Sequence, residues 1–220
     1  MSTAHITIDV NPAPTRLSEL ADKHGTDKGS VNPLSRFNNA WPVHNYTYFY
    51  DYIFESKREE IKNVFECGLG TNNPNVLSNM QGAGVPGGSL RMWREYFPNA
   101  HVYGADIDRD ILFTEDRITT TYVDQLDSTS VAELAKWLPK DLDVIIDDGL
   151  HTADAAISLF LGIANNLRPG GVYIVEDVWH GTEPDLTAWL VDNRIPYELV
   201  NITPSKNNHK LVVIRKPNRQ

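Results

Sequence analysis

Two short runs rich in β-branched residues, each ending on a pair of carboxylates, constrain the fold of this chain most. The first is Val144-Ile145-Ile146-Asp147-Asp148, followed by Gly149-Leu150-His151. The second is Val172-Tyr173-Ile174-Val175-Glu176-Asp177. A helix-like stretch, Thr152 to Leu167, and a turn signal, Arg168-Pro169-Gly170-Gly171, lie between them. Strand, helix and strand in that order predict a βαβ unit with parallel, adjacent strands. Their carboxyl ends then share the sheet edge where open α/β sheets bind ligands. Asp147, Asp148, Glu176 and Asp177 are expected to converge there, with His151 beside them.

Convergence carries an electrostatic demand. Two carboxylates about 4 Å apart repel by roughly 4 kcal/mol at an effective dielectric of 20. Such a group must be protonated, separated by water or neutralised by a cation. Oxygen ligands suit a hard ion such as magnesium, calcium or manganese, and a neighbouring imidazole suits a general base. Helix capping by Asp148 and Asp177 is the plainer explanation. It accounts for one acid per strand end, not two.

At 220 residues, with 41% apolar and 22% charged residues, the chain is long enough for one sizeable domain. A net charge of −9 argues against a binder of nucleic-acid backbones, which needs a basic face. No apolar run approaches the roughly 20 residues that span a bilayer. The start, Met1-Ser2-Thr3-Ala4-His5, has neither the basic nor the apolar region of a secretory signal. The single cysteine, Cys67, excludes a disulfide within the chain. The expectation is a cytoplasmic protein with a small-molecule partner, no nucleic acid and no membrane, and with homo-oligomerisation left open.

Residues 1–45, rich in Pro, Asn, Ser and Thr, read as an N-terminal arm or cap with one helix, Arg16 to His24. Residues 46–220 read as the main domain. His44 to Ser56 predicts a helix whose aromatic stripe (Tyr46, Tyr48, Phe49, Tyr50, Tyr52) packs in the core, with Tyr46 or Tyr48 left as candidates to cover a cofactor. Strands are expected at 61–67, 101–106, 119–123, 144–147, 172–176, 197–202 and 210–214. Helices are expected at 89–97, 130–138 and 185–192, and the last two strands make a hairpin at one edge. The alternation gives an α/β, doubly wound, Rossmann-like sheet, mostly parallel with a C-terminal antiparallel hairpin.

The first of these strands ends in Glu66-Cys67-Gly68-Leu69-Gly70. Glycines there let the backbone turn sharply and approach a ligand. A dinucleotide fingerprint needs a third glycine at position 73, where Asn stands, and an acid about 20 residues further on. The next strand-end acid is Asp106, so NAD fits poorly. A nucleoside without a pyrophosphate fits better. Asp106 can accept hydrogen bonds from a ribose diol, and Asp124 and Gln125 can contact an adenine edge. Glu66, Asp106 and Asp124 end three successive strands. The long 71–88 insertion is expected to line the cofactor or substrate pocket.

These residues resemble the class I S-adenosylmethionine-dependent methyltransferases over roughly residues 60–215. The glycine turn, Asp106 and Asp124-Gln125 stand where that family binds its cofactor. A narrower resemblance is to the metal-dependent, mycinamicin-type macrolide and sugar O-methyltransferases, and to the related group called cephalosporin hydroxylases. It rests on Lys23-His24-Gly25-Thr26-Asp27-Lys28-Gly29, Gly87-Gly88-Ser89-Leu90-Arg91-Met92-Trp93, Asp147-Asp148-Gly149-Leu150-His151 and Glu176-Asp177-Val178-Trp179. It implies that Asp148, Glu176 and Asp177 bind magnesium or another hard divalent cation, and that His151 is the general base. It places Ser89 near the methionine end of S-adenosylmethionine. Asp147, on the opposite face of its strand from Asp148, goes to the cofactor side or to a structural role. The cofactor set is then Glu66, Gly68, Gly70, Ser89, Asp106, Asp124, Gln125 and Asp147. The chain is short for such an enzyme and is expected to lack the extra N-terminal domain of the macrolide enzymes.

The expected activity is magnesium-dependent O-methylation of a small polyhydroxylated acceptor: a sugar, a glycan precursor or a glycosylated natural product. A vicinal diol would chelate the metal best, and His151 would take the acceptor proton. An NAD-dependent reductase or epimerase, and a non-catalytic cofactor-binding subunit, are the alternatives. Lys23, His24 and Lys28 are candidates for binding an anionic substrate group, with a solvated loop as the plainer reading. His180, after Trp179, is read as a loop histidine.

Overall fold

The computed structural model describes residues 3–9, 13–29, 44–81, 84–203 and 210–218. The rest of the 1–45 segment and residues 82 and 83 of the insertion lie outside it. The described residues form a nine-stranded sheet in the order β1-β8-β9-β7-β6-β2-β3-β5-β4. The strands are β1 (Ala4–Asp9), β2 (Asn63–Cys67), β3 (His101–Asp106), β4 (Thr114–Glu115), β5 (Ile118–Tyr122), β6 (Leu142–Asp147), β7 (Leu167–Val178), β8 (Glu198–Thr203) and β9 (Lys210–Arg215). Neighbours pair in parallel except β4 with β5 and the β7–β9–β8 arm. This is the mostly parallel, Rossmann-like sheet with a C-terminal antiparallel hairpin that the alternation predicts.

Helices α1 (Arg16–His24), α2 (Tyr46–Phe54) and α3 (Gly88–Tyr96) cover one face. Helices α4 (Ser128–Trp137), α5 (Ala153–Ile163) and α6 (Glu183–Asp192) cover the other. Successive strand side chains point to opposite faces. Val64, Ile146 and Ile174 therefore pack with Leu17, Phe49 and Trp93 on the first face. Phe65, Ile145 and Tyr173 pack with Leu134, Leu159 and Leu186 on the second. A strand covered on both faces reads as a continuous apolar run, as β6 and β7 do. Full burial of each such side chain contributes roughly 1.5–3 kcal/mol.

Two local expectations are corrected, and one strand was not expected. The C-terminal hairpin is not an edge, because β1 pairs in parallel with β8 outside it, Ala4 opposite Glu198 through Asp9 opposite Thr203. The Arg168-Pro169-Gly170-Gly171 signal is not a free turn. Gly170 (φ 75°) and Gly171 exchange backbone hydrogen bonds with Lys216, which carries β7 back to Leu167. The two-residue strand β4 is too short to leave a periodic trace.

Two glycine-containing motifs have packing reasons. Gly25 ends α1 in the left-handed conformation (φ 73°), and its N–H donates to the Ala21 oxygen. Gly88 opens α3 against that turn, and a Cβ on Gly88 would lie 2.7 Å from the His24 oxygen. The close approach brings the residues after Gly25 over the carboxyl ends of β2, β6 and β7.

Candidate functional site

Register fixes how the acids divide. Cys67, Asp147 and Val175 lie side by side on β2, β6 and β7. Glu66, Asp148 and Glu176, each one residue away from that row, therefore turn toward α1–α3. Asp147 turns toward α4–α6. The expected convergence holds for Asp148, Glu176, Asp177 and His151, and Asp147 is the acid that departs.

The inner acids already have a cation. Lys28 is 1% exposed, and its Nζ lies 2.5 Å from both Asp148 Oδ2 and Glu176 Oε2 and 3.6 Å from Glu66 Oε1. Burial opposes the charge on Lys28. The carboxylates of Asp148, Glu176, Glu66 and Asp27 outweigh it and hold its pKa well above the usual lysine range. Glu176 also accepts from the Tyr50 hydroxyl. Glu66 accepts from Ser89 Oγ at 2.6 Å and from Trp93 Nε1, one turn apart on α3. Glu66, Ser89 and Glu176 are buried here, away from the cavity described below.

The outer part of the cluster opens to a cavity of about 530 Å³. Asp148, His151 and Asp177 each present a ligand atom there, all within 4.8 Å of one another. His151 (φ 59°) and Asp177 (φ 51°) both adopt the left-handed backbone conformation. His151 Nε2 lies 3.7 Å from Asp177 Oδ2. Tyr46 Oη donates to Asp177 Oδ1 at 2.5 Å. His44 Nδ1 lies 3.2 Å from the same oxygen, and its Nε2 lies 3.5 Å from Asp27 Oδ2. Burial opposes protonation of His44, but Asp177 and Asp27 prevail and push its pKa up to about 10. His44 and Asp27 also line the cavity.

The same cavity continues over the glycine turn to Gly68, Gly70, Asp106, Asp124 and Gln125. A Cβ on Gly68 (φ 94°) would lie 1.9 Å from the Asp148 main-chain oxygen, so the two halves of the site touch through backbone. Asp106 Oδ2 accepts from Leu69 N at 2.6 Å, and its Oδ1 from Asp108 N at 2.8 Å. Burial raises the Asp106 pKa despite these donors. Gln125 is a clamp as well as a wall. Its Nε2 donates to Asp147 Oδ1 at 2.8 Å, and its Oε1 accepts from Leu150 N at 2.9 Å. Asp147 sits beneath the cavity, its Oδ2 without a hydrogen-bond partner among the described residues, and burial pushes its pKa up to about 6. Val76, Leu77 and Met80 of the insertion also line the cavity.

Other candidates fall elsewhere. Lys23 and His24 bind Glu95 on α3, at 2.7 and 2.8 Å, instead of facing the cavity. His180 is exposed on the surface beside Trp179. The aromatic stripe packs in the core, except that Tyr52 is 82% exposed. Its hydroxyls at Tyr46 and Tyr50 also reach the acid cluster, a role that hydrophobic spacing does not signal. Lys28, His44 and Asp27 were not expected at the centre of the cluster.

No family model matches the chain. It is similar to the 8-demethyl-8-alpha-L-rhamnosyl tetracenomycin-C 2'-O-methyltransferase of Streptomyces olivaceus, 35% identical over 162 residues. It is also similar to the mycinamicin VI 2''-O-methyltransferase of Micromonospora griseorubida, 32% identical over 163 residues. Each match covers 74% of this chain, and the chain spans only 37% and 36% of the two relatives. Among solved structures it is similar to a methyltransferase of the mycinamycin biosynthetic pathway in complex with Mg, SAH and mycinamycin VI. That likeness has a TM-score of 0.67 and 27% identity, over 96% of this chain and 57% of the other. An SAH-bound human methyltransferase-like protein 13 shares the fold, with a TM-score of 0.53 at 20% identity, over 76% of this chain and 77% of that one. Among the described residues no helix is long and apolar enough to cross a membrane.

Proposed function

Because the chain is homologous to mycinamicin-type sugar O-methyltransferases and has the class I methyltransferase fold, we propose that it methylates a hydroxyl of a sugar-like acceptor. The methyl donor in this reading is S-adenosylmethionine, and a hard divalent cation, magnesium, assists. The observation that carries it is a single cavity running from Gly68 and Asp106 to Asp148, His151 and Asp177. The nicotinamide alternative is not favoured, since the relatives are O-methyltransferases.

The residues present fit both groups. The carboxylates of Asp148 and Asp177 suit a hard divalent ion that keeps open positions for substrate oxygens, and His151, within 4.8 Å of both, stands where it can reach an oxygen held there. A cavity of about 530 Å³ is in the range of ordinary cofactor sites. When bound, S-adenosylmethionine supplies an activated methyl group and the cation lowers the acceptor pKa. Asp148 and Asp177 would hold the cation, with Glu176 behind them as the third acid. His151 would accept the hydroxyl proton, an effect typically worth about 10²–10⁴-fold. Asp106 would bind the ribose and Asp124 the base, with Gly68 and Gly70 allowing close backbone approach. Glu66 with Ser89, and Asp147 with Gln125, would brace the two walls.

The test is methyl transfer from labelled S-adenosylmethionine to rhamnosylated acceptors, with S-adenosylhomocysteine binding measured by calorimetry. His151→Ala should cut turnover by at least about 10²-fold and leave S-adenosylhomocysteine affinity unchanged. Chelation of metal should stop turnover. Full activity in the His151→Ala variant, or in the presence of chelator, would show the respective assignment to be wrong.

A further inference from the structure

The position where the ends of β6 and β7 bring two acids together is held by a side chain of the protein itself. Lys28 Nζ contacts Asp148 Oδ2 and Glu176 Oε2 equally, at 2.5 Å each. The residue is anchored by its backbone, with the Lys28 oxygen accepting from Thr47 N at 3.2 Å. It is followed by Gly29, where a Cβ would lie 2.9 Å from that of Ala21. The ammonium is therefore delivered to the cluster by a packed turn. It is not draped over a surface.

We infer that Lys28 is a tethered cation that competes with the divalent ion for Asp148 and Glu176 and so sets how tightly the site holds metal. This rests on the metal-assisted reading above. Two unit positive charges about 4 Å apart repel by roughly 4 kcal/mol at an effective dielectric of 20, and a divalent ion doubles the product of charges. Residence of Nζ between the inner acids and residence of a metal there exclude one another. With Lys28 in place, Asp148 and Asp177 remain as the outer pair, beside His151. Glu176 joins them only when the ammonium withdraws. Lys28 touches neither of the outer residues His151 and Asp177 in this arrangement, so its effect is on occupancy, not on the proton acceptor.

The experiment is Mn²⁺ binding to the full chain, followed by electron paramagnetic resonance, which needs no acceptor and no turnover. Lys28→Met is expected to bind Mn²⁺ at least about tenfold more tightly than the unaltered protein, since the competing charge is gone. Equal or weaker binding overturns the inference. Should Lys28→Met fail to fold, Glu176→Gln is compared with the Lys28→Met/Glu176→Gln double variant, in which one charge of each sign has been removed. Tighter binding in the double variant supports competition at Asp148, and equal or weaker binding overturns it. Measurable but unchanged Mn²⁺ affinity removes the competition alone. No Mn²⁺ binding by any variant removes the competition and the metal reading together.

Discussion

Thr182 Oγ1 donates a hydrogen bond to the main-chain oxygen of His151 at 2.6 Å, and Trp179 Nε1 donates to the same oxygen at 3.2 Å. Thr182 is 3% exposed. A non-glycine residue in the left-handed region costs of order 1–3 kcal/mol and persists only where its surroundings hold it. The two donors hold His151 in that conformation, which aims its ring at Asp177.

If His151 is the proton acceptor, Thr182→Val should therefore lower turnover by roughly tenfold, a part of what a positioned base contributes. Thr182→Ser keeps the hydroxyl and should keep the turnover. Methyl-transfer assays distinguish them, and identical rates for Val and Ser would show that the clamp does not orient His151.

Two tyrosines two residues apart on α2 should respond differently. Tyr50→Phe deprives buried Glu176 of a donor, which costs about 1–3 kcal/mol. Tyr52→Phe alters a side chain that is 82% exposed and should stay within about 0.5 kcal/mol. Denaturant midpoints check this, and a matching loss at both positions would contradict the placement of Tyr50.

Gly88→Ala should destabilise by about 1–3 kcal/mol, the usual range for overpacking. The added Cβ meets the His24 main-chain oxygen at 2.7 Å, and neither backbone can yield alone. A lowered melting temperature is the expected result, and an unchanged one would mean that α1 and α3 do not meet at this point.

Acid should erase one contact of α3. Arg91 Nη2 donates to Glu115 Oε1 at 2.7 Å, and Arg94 adds a bond at 3.3 Å. The bonds from Arg91 outweigh burial and hold the Glu115 carboxyl below its usual range. A depressed folded-state pKa stabilises the fold above the unfolded value, and that stability is lost as pH falls through the folded one. Glu115→Gln should thus be less stable than the unaltered protein at neutral pH, with the gap closing under acid. A gap independent of pH in unfolding titrations would argue against the ion pair.

Strands that are apolar on both faces were legible because burial leaves no polar positions, and the acid pairs at their ends marked the edge where the cavity opens. Strand β1 was harder to find. Ala4, Ile6 and Ile8 alternate with polar residues, but over six positions beside a Pro-rich stretch. Lys28 was visible as a charge in a loop motif, but its partners lie 120 and 148 residues away. Sequence spacing cannot reveal a pairing that only the β6–β7 register and the Gly25 turn create. Spacing likewise identified the tyrosine rings as core without saying where their hydroxyls end.

The end of β6 leaves little room for divergence. Asp147 and Asp148 are successive residues, yet one grips Gln125 beneath the glycine-turn half of the cavity and the other grips Lys28 at the opposite face. A shift of that single peptide would disturb both halves together, so neither can be retuned from β6 on its own. Under the proposed function, a change of acceptor preference would come instead from the rim, where Val76, Leu77 and Met80 of the insertion line the cavity.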